Sequence, residues 1–337
     1  MSSHSNFETL PWYVQEYFNK SNISLESKVA YSKEIVEFFN WINSRKGFAH
    51  VIKNTSLSQL DDLSVDDIEH YKRYLLIKKP NLTSKKNGLS QASVARKLSP
   101  ISSLFKYLAH EAEFESGDSY LKRNIFQKVR INGPKKTDFK AAEEIKQSIL
   151  SYPQELQAFR NFVSNGYGLI NTGRKLTWYN KNKERDTAII SLIMDCGLSM
   201  SDLEALTLDK IDLKNDQLKI NEKQIAFLTS RSKTELKEYL KIRKEKYNVK
   251  DEIPNVFLTS YYNRAKPIYR RSIQEMIKKY AVAFGDSSLN AQQLRHSFAI
   301  QSYSKTKKFD FIQQLGITSI NPMWVYAANN NNNTNRH

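Results

Sequence analysis

Apolar residues recur at helical spacing through most of the chain and alternate in only a few short stretches. Pro11 to Lys20 predicts a short helix rich in aromatic residues. Ser27 to Asn43 predicts a clearer one, because Val29, Ile35, Val36, Phe38, Phe39, Trp41 and Ile42 form one stripe that Gly47 closes. Ser64 followed by Asp67 is a capping-box start for a third helix, which runs to about Lys79 and stops before Pro80. Asn81 to Leu89 is a polar loop holding Lys85 and Lys86. Ser90 to His110 is helical again, with Val94, Leu98, Ile101, Leu104, Phe105 and Leu108 inward and Arg96, Lys97 and Lys106 outward. Four helices with short polar connections make a small helical domain over residues 1–130.

Ile131 to Lys140 carries Gly133, Pro134 and three lysines without apolar periodicity, the composition of a basic linker. The second domain, 141–326, opens with helical patterns over Ala142 to Ser151 and Pro153 to Asn165. Asn171 to Lys183, with Arg174 and Lys175, is a polar, basic loop. Arg185 to Cys196 predicts a strongly apolar helix ended by Gly197, and Ser201 with Glu204 caps the next one, to Leu206. Leu208 to Asn221 and Gln224 to Thr229 alternate as strands do, joined by a short turn at Asn221-Glu222-Lys223. Lys233 to Tyr247 is a lysine-rich helix, Ile253 to Leu258 a strand and Arg271 to Phe284 a helix. The pattern is therefore mainly α with a small sheet in the second half. Residues 327–337 form an asparagine-rich tail with no apolar face to pack.

Charge narrows the partner. Lysine and arginine total 52 against 35 acidic residues, a formal charge of +17, which calls for a polyanion. The lysines are spread through folded segments and form no juxtamembrane block, so nucleic acid fits better than a membrane surface. The one cysteine, Cys196, excludes a disulfide framework and fits a reducing cytoplasm. Met1 to Glu8 lacks the charged start and apolar core of a secretion signal. Ala188 to Met200, the longest apolar run, is broken by Asp195 and too short to span a bilayer.

The candidate chemistry lies between Leu289 and Tyr326. Gln292 and Arg295 are three apart on one helix face, and His296 sits close to that face. A cation, a polar partner and a downstream phenol are the parts needed to hold a phosphodiester while a tyrosine attacks it. Leu-Arg-His is also common on ordinary helices, and Tyr326 is one of 18 tyrosines. A purely structural role and a reactive one both stay open on the residues alone.

The segment resembles the C-terminal box of the phage integrase family of tyrosine site-specific recombinases, in which a His-x-x-Arg-His helix precedes a Leu-Gly-His turn and the nucleophile. Leu10-Pro11-Trp12-Tyr13-Val14, Asn180-Lys181-Asn182-Lys183-Glu184-Arg185-Asp186 and Val256-Phe257-Leu258-Thr259 extend the likeness over nearly the whole chain, most of all to XerS-type Xer recombinases. The resemblance implies an N-terminal helical, SAM-like core-binding domain that clamps DNA, followed by an α+β catalytic domain with a small β-sheet. It implies strand cleavage through a 3′-phosphotyrosine link, without cofactor, metal or small-molecule substrate. Double-stranded DNA is the implied partner, bound by a homo-tetramer on paired sites. Site-specific recombination, chromosome partition and DNA integration are the roles it suggests.

Matched position by position, Tyr326 sits at the nucleophile, ten residues after Gly316. Arg295 sits at the second arginine, His296 at the histidine that follows it, and Lys223 at the β-turn lysine that protonates the leaving oxygen. Three positions depart. Ser199 replaces the first arginine in Gly197-Leu198-Ser199-Met200-Ser201-Asp202, Gln292 replaces the His-x-x-Arg histidine, and Ile317 replaces the Leu-Gly-His histidine. A short hydroxyl in place of a charged fork is the gravest of these. Arg174 or Lys175 is the candidate replacement cation. With Arg96, Lys97, Lys85 and Lys86, that pair completes the expected DNA-contacting set. Two readings follow: a recombinase with an impaired reaction centre, or a DNA-binding accessory or regulatory protein of the same fold that does not cleave.

Overall fold

A computed structural model describes residues 7–48, 51–78, 88–131, 153–222, 224–250 and 252–306. The chain divides into two compact units, residues 1–135 and 136–337.

The first unit is helical. Its elements are α1 (Trp12–Lys20), α2 (Leu25–Lys46), α3 (Leu57–Asp61), α4 (Val65–Ile77) and α5 (Gln91–His110). Ser24 accepts from the Ser27 backbone N–H and starts α2 earlier than the apolar stripe indicates. Gly47 ends it at φ 66°, where a side chain would be strained. The predicted box at α4 forms in both directions. The Asp67 N–H donates to Ser64 Oγ at 3.2 Å, and the Ser64 N–H donates to Asp67 Oδ2 at 2.9 Å. Such a cap contributes about 1 kcal/mol. The stripes of α2, α4 and α5 close on one another through Ile35, Phe38, Phe39 and Ile42, Ile68, Tyr71 and Leu75, and Leu98, Ile101, Leu104 and Phe105, all fully buried. Pattern reading misses α3, although Ser56 and Gln59 form a capping box there too.

The second unit is organised on one long helix. α6 (Pro153–Asn161) continues through a π-turn (Phe162–Gly166) and a short α-turn (Tyr167–Leu169) before α7 (Gly173–Cys196) begins. From Ala188 to Met194 α7 is buried on every side, which is how a central helix reads. α8 (Met200–Ala205) follows, then the antiparallel sheet β1 (Ile211–Asp212), β2 (Gln217–Asn221) and β3 (Gln224–Phe227), in that spatial order. Next come α9 (Ser230–Lys246), the hairpin β4 (Leu258–Tyr261) and β5 (Arg264–Pro267), α10 (Arg270–Phe284) and α11 (Ala291–Thr306). Both α9 and α11 pack along α7.

Four expectations are corrected. Asn171 to Lys183, predicted as a loop, belongs mostly to α7. Its inward positions include Tyr179 and Asn182, whose hydroxyl and amide hide an ordinary helical face from an apolar count. Tyr179 OH donates to the Ser164 carbonyl at 2.6 Å, and Asn182 Oδ1 accepts from Tyr247 OH at 2.9 Å, so both polar groups are satisfied inside. Leu208 to Asn221 is a 3-10 turn, a two-residue strand and a longer strand rather than one strand. The strand expected at Ile253 to Leu258 begins only at Leu258, because Val256 is tied instead to the Leu206 carbonyl. α8 is capped by Ser199, not Ser201.

A buried charge cluster joins α7 to β4 and α10. Arg185 and Asp186 are 3% and 0% exposed. Arg185 Nε and Nη2 donate to Asp186 Oδ1 at 2.9 and 2.6 Å, while Nη1 donates to the Leu258 carbonyl at 2.9 Å. Tyr280 OH donates to Asp186 Oδ2 at 2.8 Å, and burial pushes that phenol far up. Lys279 Nζ lies 3.7 Å from the Trp178 ring centroid and 3.9 Å from Asp186 Oδ2. Burial nevertheless pushes its ammonium down to about 8, with Asp186 opposing the shift.

The predicted 142–151 helix, most of the 131–140 linker, nearly all of the 81–89 loop and the tail lie outside the described residues.

Candidate nucleic-acid interface and reaction centre

The Gly197 turn places the first candidate residue. Gly197 adopts φ 67°, its N–H bonds the Ile193 carbonyl, and the Leu198 N–H reaches back to the Leu192 carbonyl. α7 therefore stops abruptly and the chain restarts at once as α8. Ser199 Oγ accepts from the Asp202 N–H at 3.1 Å, and Asp202 Oδ2 accepts from the Ser199 N–H at 2.7 Å. The side chain standing where the resemblance implies an arginine is thus committed to a local cap.

Ser201 and Glu204, expected to form that cap, hold a cation instead. Arg270, at the start of α10, donates from Nη1 to Ser201 Oγ at 3.3 Å and pairs through Nε with Glu204 Oε2 at 3.0 Å. Sequence reading did not single out Arg270. The available signal was two arginines in the first turn of a helix, where the dipole disfavours cations.

α11 supplies the remaining described candidates. Asn290 Oδ1 accepts from the Gln292 and Gln293 N–H groups and opens the helix. Leu294, Ser297 and Ala299 are buried, Gln292 is exposed, and Arg295 and His296 are half-buried. Burial, then the neighbouring Arg295 charge, pushes the His296 imidazole below its ordinary value of 6.5. A neutral ring at physiological pH can both donate and accept a hydrogen bond. The structure brings these residues and the Ser199 turn onto the same central helix, one along it and the other at its end. Lys223, Ile317 and Tyr326 lie outside the described residues.

Arg174 and Lys175 are exposed in the first turn of α7. They line a cavity of about 680 Å³ with Tyr167, Trp178 and Lys279. About 33 Å of helix, at 1.5 Å per residue, separates Arg174 from Cys196. Neither can stand in for a cation at position 199 of the same chain.

In the first unit Arg96 is exposed on α5 and forms no ion pair among the described residues. Lys97, expected to point outward, is half-buried between Glu34 and Glu37 of α2, at 2.5 and 2.9 Å. The two carboxylates sit one helical turn apart and neutralise it. Lys85 and Lys86 lie outside the described residues.

Comparison with known proteins decides the family. Residues 168–333 match the phage integrase family. The tyrosine recombinase XerS of Streptococcus gordonii is 33% identical over 334 residues, spanning 95% of this chain and 93% of that protein. Its counterpart in Streptococcus thermophilus is 33% identical over 333 residues. This chain belongs to the phage integrase family of tyrosine recombinases. The fold agrees with the solved structures of other tyrosine recombinases. The XerH site-specific recombinase bound to difH substrate superimposes with a TM-score of 0.59 at 18% identity, over 93% of this chain and 79% of that one. The Tn1549 transposon integrase in complex with transposon right end DNA gives 0.60 at 13% identity, over 96% and 94%. Mainly α architecture with small antiparallel sheets is thus the tyrosine recombinase fold, as the sequence implies. No described helix of this tyrosine recombinase is long and apolar enough to cross a membrane.

Proposed function

We propose that this tyrosine recombinase binds double-stranded DNA at a specific site and cleaves it slowly through Tyr326. The observation that carries the reading is the likeness to XerS over 95% of the chain, in a sequence that keeps Arg295, His296 and Tyr326. The phenol attacks the scissile phosphate, leaving a 3′-phosphotyrosine link, and a second strand's hydroxyl reverses the step. Arg295 meets the charge that develops on phosphorus, His296 donates a hydrogen bond as a neutral ring, and Lys223 protonates the leaving oxygen. No cofactor enters this scheme. The helical unit up to residue 130 clamps the duplex with Arg96, Lys85 and Lys86, while Lys97 stays paired with Glu34 and Glu37. A basic linker follows to residue 140, and the reaction belongs to residues 141–326. Arg174 and Lys175 extend the phosphate-contacting surface. The assembly is a homo-tetramer on paired sites, acting in the cytoplasm in chromosome partition.

Ser199, Gln292 and Ile317 make the reaction slow. Removing one preorganised donor costs on the order of 10²–10³ in rate, and losses within one site do not simply multiply. The closed Ser199–Asp202 cap also favours a second reading, a non-cleaving accessory or regulatory protein that holds its site.

Duplex binding tests what the two readings share. Affinity for a duplex site selected by the protein from a random-sequence pool is expected to fall by on the order of 10³ between low and physiological salt, as six or more neutralised phosphates require. Arg295→Ala is expected to lower cleavage far more than affinity. An affinity flat with salt, measured by fluorescence anisotropy, contradicts the reading.

A further inference from the structure

The β4–β5 hairpin carries a chemistry that the reaction centre does not use. Its register pairs Tyr261 with Arg264 and Thr259 with Lys266, so these four side chains share one face, while Leu258, Ser260, Ala265 and Pro267 share the other. Leu258 is buried and Ala265 packs on the core, which turns the Tyr261 face to solvent. Tyr261 and Tyr262 are 58% and 85% exposed, with ring centroids 4.5 Å apart. Lys266 Nζ stands 5.0 Å over the Tyr261 ring. Neither Arg264 nor Lys266 forms an ion pair among the described residues. From Pro254 to Gln274 the sequence holds Arg264, Lys266, Arg270 and Arg271 and no acidic residue.

The turn is costly for its sequence. Tyr262 and Asn263 both lie in the left-handed region, at φ 46° and 57°. Two-residue hairpins of this kind favour Asn-Gly, and a tyrosine in the first position is strained. A strained, exposed aromatic at a cationic tip is a local rule broken without structural gain.

We propose that this hairpin is a further DNA-contacting element, a two-stranded ribbon that lays Tyr262 against the duplex and Arg264 and Lys266 on its phosphates. It rests on the duplex-binding reading above. A two-stranded ribbon fits a DNA groove, and a tip of uniform positive charge selects a polyanion over a second copy of a chain with formal charge +17.

The test uses the full chain and a fluorescein-labelled random-sequence duplex. Arg264→Ala with Lys266→Ala is expected to reduce the slope of log affinity against log salt by about 1.8, at 0.9 per phosphate contact. Lys237→Ala with Lys241→Ala, two exposed lysines of α9, is the charge-matched control and is expected to leave the slope nearer the original. Tyr262→Asn relieves the turn, so the melting temperature is expected to rise by about 2–4 °C. The same variant is expected to lower duplex affinity about threefold or more. Stability and binding moving in opposite directions is a result that a misfolded variant cannot give. If the wild type binds but the hairpin variants match it, or match the control pair, the hairpin is not a contact. A change in oligomeric state without a change in affinity also overturns the proposal. If the wild type itself does not bind, the duplex-binding reading beneath it fails as well.

Discussion

Ser199→Arg, combined with Gln292→His and Ile317→His, is expected to raise the rate of covalent adduct formation on a nicked duplex by on the order of 10²–10³, the effect of one preorganised donor. Three restorations act on one transition state, so the gain saturates rather than multiplying. The structure adds a second expectation to this variant. Ser199 Oγ accepts from the Asp202 N–H, and an arginine cannot reproduce that cap. The triple variant should therefore melt lower, by the roughly 1 kcal/mol that a lost N-cap costs, while reacting faster. A lower melting temperature without faster chemistry means that the backbone at Gly197–Ser199 no longer aims position 199 at a phosphate.

Asp186→Ala is expected to cost about 3–5 kcal/mol, because it strips a buried cation of its counter-charge. Arg185 would retain its bond to the Leu258 carbonyl but lose both contacts to Asp186, and Tyr280 would lose the acceptor of its hydroxyl. Lys279 makes the loss worse. Its ammonium already titrates at about 8, and Asp186 is the charge that opposes the shift. For a unit of this size the melting temperature should drop by at least about 6 °C. Asp186→Asn should fall between wild type and alanine, since its one amide oxygen still accepts from Arg185, while its NH2 takes the place of the oxygen that accepted from Tyr280. A melting temperature within about 1 °C of wild type for Asp186→Ala would show that the cluster is not what joins α7 to β4 and α10.

Apart from the short α3, the helices of the first unit were legible because their stripes are apolar and their ends carry clear caps, Gly47 after α2 and Ser64–Asp67 before α4. The second unit was less so, for identifiable reasons. The first half of α7 buries Tyr179 and Asn182, polar residues that an apolar count assigns to solvent. At α8 the sequence offers two capping boxes two residues apart, Ser199 with Asp202 and Ser201 with Glu204. The left-handed stop at Gly197 selects the first by restarting the helix immediately. That left Ser201 and Glu204 available to Arg270, across 69 and 66 residues of sequence, a pairing no local pattern contains. The chemical types on α11 were legible, since the spacing of Gln292, Arg295 and His296 fixes their faces. The half-burial of His296, which keeps its ring neutral, was not, because it depends on what packs against α11.

The proposed cleavage depends on one phenol, that of Tyr326. Incubating wild type and Tyr326→Phe with a nicked duplex carrying the selected site, then resolving the products under denaturing conditions, reads that phenol directly. A slow-forming covalent protein–DNA adduct in the wild type, missing in Tyr326→Phe although both bind the duplex equally, is the predicted result. An adduct that persists in Tyr326→Phe, or sequence-specific binding with no adduct at any time, contradicts it.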